Sequence, residues 1–289
     1  ARFIDYTGVS PEVGGLPRGV DEGFYRVWRV QEEAGIERNG EICTATVTDL
    51  KTKIDEPRFR LFEGPRELPY QVLARKESLP PETPAAASPP ALTYKLAFPL
   101  DAASNEKKII LLVKGRPAKT PDQALTLTGE GLGKTIQNGP LTIQFHAKSG
   151  QILTIESPKE KIRLWNKEGV IHWNPDVFIP GIAWDHSFEW NPPQSFEETS
   201  GPLVYINARE GPMSRIKDVN LKVRYVVEPD KPYFVVETRL DVEKDMGVIA
   251  LRNDEMVLAK ELFDTLIYRD KDGQIITLPL KEKAEAPSG

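Results

Sequence analysis

Two of the three histidines and three of the five tryptophans fall between residues 170 and 190. The segment reads Val170-Ile171-His172-Trp173-Asn174-Pro175-Asp176. After a short gap it continues Trp184-Asp185-His186-Ser187-Phe188-Glu189-Trp190-Asn191-Pro192-Pro193. Indole rings stack on the C–H faces of sugars, while imidazole and carboxylate groups bind hydroxyls. If residues 184–190 form one strand, alternation places Trp184, His186, Phe188 and Trp190 on one face. Asp185, Ser187 and Glu189 then point the other way. The competing reading is a core strand in which His186 is a hydrogen-bonded interior residue. The Asn-Pro flanks favour an irregular segment carried on loops, where binding groups tend to sit.

The same residues offer other chemistry. His172, Asp176, Asp185 and His186 supply two imidazoles and two carboxylates, a donor set suited to zinc or another transition metal. Their spacing matches no standard pattern such as His-Glu-x-x-His. Asp side chains and carbonyls around residues 174–185 would suit calcium. No cofactor is expected, with a divalent metal kept open. Arg252-Asn253-Asp254-Glu255 follows the apolar Val248-Ile249-Ala250-Leu251 and so sits at a strand end. Arg252 could hold a carboxylate through two parallel bonds; the alternative is a solvated turn. His172 or His186 could remove a proton beside a uronic carboxylate or protonate a ring oxygen. His146 alternates with Gln144 and Thr142 on a polar, exposed face. Gly129-Glu130-Gly131-Leu132-Gly133-Lys134-Thr135 lacks the first glycine of a phosphate loop, because Thr128 stands there. There is no Gly-x-Ser-x-Gly elbow. The one cysteine, Cys43, excludes an intrachain disulfide and reads as a small buried hydrophobe.

The elements that must position these residues are strands. Runs rich in Val, Ile, Thr and aromatics recur at residues 24–30, 41–48, 58–62, 70–74, 92–98 and 108–113. They resume at 140–145, 152–156, 170–173, 202–208, 221–227, 233–240, 247–252, 263–268 and 274–278. Asn39-Gly40, Asn138-Gly139 and Lys271-Asp272-Gly273 mark turns. The 25 prolines discourage long helices. Short helices are expected only near Pro121–Leu125 and Val257–Glu261. The reading is all-β: a small N-terminal β-barrel or sandwich over 1–118, then a larger antiparallel β-sandwich over 119–281. The Pro-rich stretch 80–91 reads as a loop and 282–289 as a frayed tail.

The net charge is -5 and the pI about 5.5. That lacks the basic stripe a nucleic-acid binder needs. The longest aliphatic run, Ile109 to Val113, is far short of a spanning helix. A chain starting at Ala1 is read as exported, so a periplasmic or extracellular location is expected. A protein partner or homo-oligomer is left open, since sheet edges must be covered.

Two stretches carry a family resemblance. Arg38-Asn39-Gly40-Glu41, Leu68-Pro69-Tyr70-Gln71-Val72 and Leu111-Leu112-Val113-Lys114-Gly115 resemble the RIFT barrel at the N-terminus of some polysaccharide lyases and glycoside hydrolases. Ile136-Gln137-Asn138-Gly139-Pro140-Leu141-Thr142-Ile143, Ser149-Gly150-Gln151-Ile152, Ser200-Gly201-Pro202-Leu203-Val204, Val223-Arg224-Tyr225 and Lys231-Pro232-Tyr233-Phe234 form the second. They resemble the β-sandwich of galactose-mutarotase-like and exo-rhamnogalacturonan-lyase-like proteins. The resemblance implies a carbohydrate-associated protein that binds or processes a polysaccharide or oligosaccharide, of lyase, hydrolase-accessory or epimerase type. In mutarotases a His protonates the ring oxygen and a Glu deprotonates the anomeric hydroxyl. By resemblance those roles fall to Glu255 with His172 or His186. Catalytic candidates are therefore His172, His186, Asp185, Arg252 and Glu255. Trp173, Asn174, Trp184, Phe188 and Trp190 are the ligand-binding candidates. The large helical domain usual in such enzymes has no counterpart in this pattern. That keeps open a non-catalytic interaction module of a larger exported assembly.

Overall fold

The computed structural model describes residues 2–6, 25–49, 59–78, 91–115, 117, 125–165, 171–173, 175–253, 255–257 and 260–280. The stretch 80–90, the tail 282–289, Asn174 and Asp254 lie outside the described residues, as do 118–124. The chain divides into two compact units. The first holds residues 1–125 together with Thr199–Tyr205, and the second holds 126–198 and 206–289. Both are built of antiparallel strands, as the residue pattern requires.

In the first unit the chain runs through β1 (Arg2–Tyr6), β2 (Tyr25–Gln31), β3 (Arg38–Asp49) and β4 (Phe59–Glu63). It continues through β5 (Arg66–Leu68), β6 (Gln71–Ser78), β7 (Ala91–Ala102) and β8 (Lys107–Lys114). These make a five-stranded sheet, β1-β2-β8-β4-β5, and a three-stranded sheet, β3-β7-β6. Period-two alternation supplies one core from both. Trp28 and Val30 of β2, Phe59 and Leu61 of β4, and Ile110 and Leu112 of β8 come from the first sheet. Cys43, Ala45 and Val47 of β3 and Leu92, Tyr94, Leu96, Phe98 and Leu100 of β7 come from the second. Trp28 stacks on Phe98 at 6.2 Å, and Phe59 meets Tyr94 edge-on at 5.4 Å. Cys43 is buried in this core.

The second unit opens with β9 (Thr126–Thr128), β10 (Thr135–Gln137), β11 (Thr142–Phe145), β12 (Ile152–Ser157) and β13 (Ile162–Trp165). Next come β14 (His172–Trp173), β15 (Asp176–Ile179), β16 (Ile182–His186) and β17 (Ser195–Thr199), whose last residue lies in the first unit. Then follow β18 (Tyr205–Pro212), which starts in the first unit, β19 (Val219–Val227), β20 (Val235–Val242), β21 (Ala250–Arg252), β22 (Glu255–Met256), β23 (Thr265–Arg269) and β24 (Ile275–Pro279). The five strands β9 to β13 form one sheet in sequence order reversed, and β17-β18-β19-β20 form another. Val219, Leu221, Val223, Tyr225 and Val227 alternate inward along β19. Phe145 of β11 meets Tyr225 at 5.5 Å, which joins the two sheets through their cores. Two small sheets, β14-β22 and β16-β15-β21, carry the residues singled out above.

The turn expected at Asn138-Gly139 has a second function. Asn138 is buried, and its amide donates to the carbonyls of Glu228 and Lys231, both at 2.9 Å. Its side-chain oxygen accepts the Leu141 N–H. The turn thereby fixes the β19–β20 connection. Of the short helices expected, residues 260–262 form a single 3-10 turn. Among the described residues, no helix is long and apolar enough to cross a membrane.

Candidate functional site

Strand register gathers the site. Trp173 on β14 lies opposite Glu255 on β22. Asp176 on β15 lies opposite His186 on β16 and, on its other side, opposite Arg252 on β21. β16 ends at His186, and Ser187–Glu189 form a 3-10 turn, so one continuous strand over 184–190 is not formed. The turn keeps part of the expected face together. The Trp173 ring lies 4.4 Å from His186 and 5.3 Å from Phe188, and His146 approaches Phe188 at 4.9 Å. Trp173, His186 and Phe188 are half-buried.

Trp190 leaves this group. It is buried, and its indole N–H donates to the Pro212 carbonyl at 2.8 Å. Trp184 packs against Phe178 at 5.3 Å, and the Arg252 guanidinium covers a face of its ring at 3.8 Å. That covered face has no room for a stacked sugar.

Charged groups lie near His186. Arg252 donates to Asp176 and, at 2.8 Å, to Glu255. Its guanidinium is thus already engaged by two carboxylates. Burial pushes the Asp176 carboxyl up, and Arg252 opposes that rise. Asp185 is fully buried and accepts the backbone N–H groups of Arg215 and Ile216 at 2.6 and 2.8 Å. It anchors the 215–216 loop. Arg215 also reaches Glu189 at 2.9 Å and the Trp184 carbonyl. Burial raises the Glu189 carboxyl, and Arg215 works against it. Burial holds the His186 imidazole at about 4, although Asp185 favours its charge. Asp176 Oδ1 and Arg252 Nε, both buried, have no hydrogen-bond partner among the described residues.

A second, fully interior network lies in the same unit, and the sequence pattern did not reveal it. Arg209 is buried among uncharged groups. It donates to the Ser149 carbonyl at 2.7 Å and to Gln151 Oε1 at 2.9 Å. It also lies over the Tyr225 ring at 5.0 Å and near the Trp190 ring at 5.7 Å. Because Arg209 requires an oxygen at Gln151 Oε1, the amide orientation is fixed. The amide nitrogen then donates to Ser187 Oγ at 2.9 Å. The Tyr225 hydroxyl also donates to Oε1. Its proton is committed there, so its oxygen accepts from His172 Nδ1 at 2.7 Å. His172 is therefore the Nδ1–H tautomer. Burial, with the Arg209 charge second, holds this imidazole at about 4. Gly150 is required beside it: its φ is +69°, and a Cβ would stand 2.6 Å from Arg209 Cδ.

The structure thus brings together Trp173, His186, Phe188, Asp176, Arg252 and Glu255. His172 is in the interior network and Asp185 under a loop. Trp190 is packed apart, and Asn174 is outside the described residues. Among the described residues, no three His, Cys, Asp or Glu side chains form a group able to hold a metal ion. The signal that could have exposed the Arg209 network is the alternation of β18, which puts Tyr205, Asn207 and Arg209 on its buried face.

No family model matches the sequence, and no curated protein does. Solved structures share its fold. A glycosyl hydrolase family 38 protein from Enterococcus faecalis aligns with a TM-score of 0.53 at 10% identity, over 89% of this chain and 35% of its own. An alpha-mannosidase from Enterococcus faecalis V583 aligns over 76% of this chain and 30% of its own, with a TM-score of 0.48 and 10% identity. The chain therefore spans about a third of the length of these neighbours. The fold is shared with part of a glycosyl hydrolase family 38 protein.

Proposed function

We propose that the Trp173–His186–Phe188 face binds a saccharide, in a protein that binds or processes an oligosaccharide or polysaccharide. The observation that carries this reading is the meeting of three half-buried rings with the Asp176–Arg252–Glu255 group. Rings supply a stacking surface, and the polar groups supply donors and acceptors for hydroxyls. The glycosyl hydrolase family 38 fold and the RIFT-barrel and mutarotase-like sequence features support it. If the site is catalytic, His186 is the base, unprotonated at neutral pH, with Glu255, which lies opposite Trp173, as its partner. His172 is too enclosed for that role. The test is a thermal-shift screen of the chain against oligosaccharides. A ligand at about 100 times its Kd stabilises the fold by about 2.7 kcal/mol. Trp173→Ala and His186→Ala should abolish the shift while keeping the wild-type circular dichroism spectrum. No shift with any saccharide removes this reading.

A second reading, a non-catalytic interaction module, is favoured by one observation. Of sixteen large hydrophobic side chains exposed among the described residues, thirteen lie between Tyr233 and Leu280. Surfaces of this kind mark protein contacts.

A further inference from the structure

Among the described residues, β20 is the longest outer strand of the second unit, at one side of the sheet β17-β18-β19-β20. An outer strand presents a row of unpaired N–H and C=O groups, which folds blunt with proline, lysine, bulges or inward-pointing charge. β20 has none of these. It reads Val-Val-Glu-Thr-Arg-Leu-Asp-Val, and its register against β19 runs unbroken from Val235 to Val242. That register puts Val236, Thr238, Leu240 and Val242 on the core side, opposite Tyr225, Val223, Leu221 and Val219. Val235, Glu237, Arg239 and Asp241 turn outward.

Both sides of β20 are incomplete. The four core-side residues of β19 are at most 1% exposed. Their partners Val236, Thr238 and Leu240 are only half-buried, and Val242 is 51% exposed. On the outward side Arg239 lies directly opposite Lys222, and like charges so placed destabilise a ladder. Lys222 reaches away to Glu210 at 2.7 Å. Arg239 meets Asp241 of its own strand at 2.8 Å, and its side chain stays 72% exposed.

A second copy of β20 supplies what each side lacks. Antiparallel pairing of the two strands must keep core side with core side, so the two-fold axis passes through a residue. Placed at Thr238, the axis sets Glu237 opposite the partner's Arg239, and Arg239 opposite the partner's Glu237. On the core side Val236 meets the partner's Leu240 to either side of a pair of Thr238 residues. Opposite-charge, apolar and Thr–Thr pairs each stabilise a ladder. Val235 falls opposite the partner's Asp241 and gains nothing. An axis at Glu237 or Arg239 sets that charge against itself. An axis at Leu240 keeps Arg239 opposite the partner's Asp241 but puts Glu237 against the partner's Glu243, and an axis at Val236 makes no ion pair. We propose that the chain forms a two-fold homodimer through β20, paired antiparallel about Thr238, which joins two four-stranded sheets into one.

Sedimentation velocity of the intact chain over a range of concentrations tests this. The wild type should pass from monomer to dimer, and the dimer should weaken at high salt. Glu237→Arg and Arg239→Glu each set like charges across the axis twice, and each should weaken dimerisation about tenfold or more. Both side chains are more than half exposed, and circular dichroism checks that the variants keep the fold. Mixed in equal amounts, the two variants set opposite charges across the axis at both positions and should dimerise together. A wild type that stays monomeric up to about 1 mM overturns the proposal. So does a dimer that either variant leaves intact, which would place the contact on another face or register. Loss of the dimer in both variants without rescue on mixing overturns the pairing about Thr238.

Discussion

His172 is a base that the interior has made reluctant to take a proton. Its ordinary value is 6.5, and in the fold it lies near 4, as does that of His186. Between those values the unfolded chain binds more protons than the folded one. Stability is therefore complete above about pH 6.5 and falls as pH drops towards 4. For His172 alone this is on the order of 3 kcal/mol. Glu32 acts in a lower window. Burial pushes its carboxyl up, but the backbone N–H groups of Asn105, Ala34, Gly35 and Ile36 outweigh that and hold it at about 2. Its contribution is present above about 4.5 and is lost as pH falls towards 2. Urea unfolding at pH 7 and pH 4.5 should show wild type weakened at the lower pH. His172→Gln, which keeps a donor towards Tyr225, should flatten that dependence. An unchanged slope in the variant would place the titration elsewhere. Sequence order drew attention to His172 because tryptophans surround it. It could not reveal Tyr225, 53 residues on, which decides its tautomer.

Gln71 does for an element what Tyr225 does for a residue. Buried on β6, it accepts the N–H groups of Leu203 and Val204 at 2.9 Å each and donates to the Val204 carbonyl at 3.0 Å. Gly201 is needed there, since a Cβ would stand 2.2 Å from Gln71 Cδ. Gln71→Ala leaves three backbone groups unpaired and should cost about 2–4 kcal/mol. Amide hydrogen exchange should show Leu203 and Val204 newly exposed to solvent; retained protection would mean another group holds them. Long strands were legible because alternation repeats over many residues, as in β3, β7 and β19. The elements that build the candidate site were not. β14 and β22 have two residues each, and β15 and β16 have four and five. Two to five residues give alternation too few repeats to register. The strand imagined through 184–190 failed because Ser187 is drawn into the interior by Gln151. Asn138 and Gln71 stood in the sequence as a turn residue and a strand residue. Their buried amides act on chain more than 60 residues distant, which local pattern does not report.

At the scale of the whole molecule, the apolar side chains between 233 and 280 set a different expectation. All of β23 is exposed, and β24 alternates exposed with half-buried positions. A two-stranded hairpin with so little cover has few contacts to protect its amides. In the monomeric chain, confirmed by light scattering, β23 and β24 amides should exchange fast, and a hydrophobic dye should bind without unfolding. Slow exchange in the monomer would show that the hairpin needs no partner, and the interaction-module reading would lose its support.

The membership of Thr199–Tyr205 in the first unit has a consequence for how the chain is made. A nascent chain emerges in order, at about 5–20 residues per second. The first unit nears completion at residue 125, yet the segment that Gln71 binds ends at residue 205. At that rate the partners of Gln71 at residues 203 and 204 are translated several seconds after residue 125. The first unit is thus finished by chain that arrives late. A fragment cut after residue 125 would be lacking one of its own pieces.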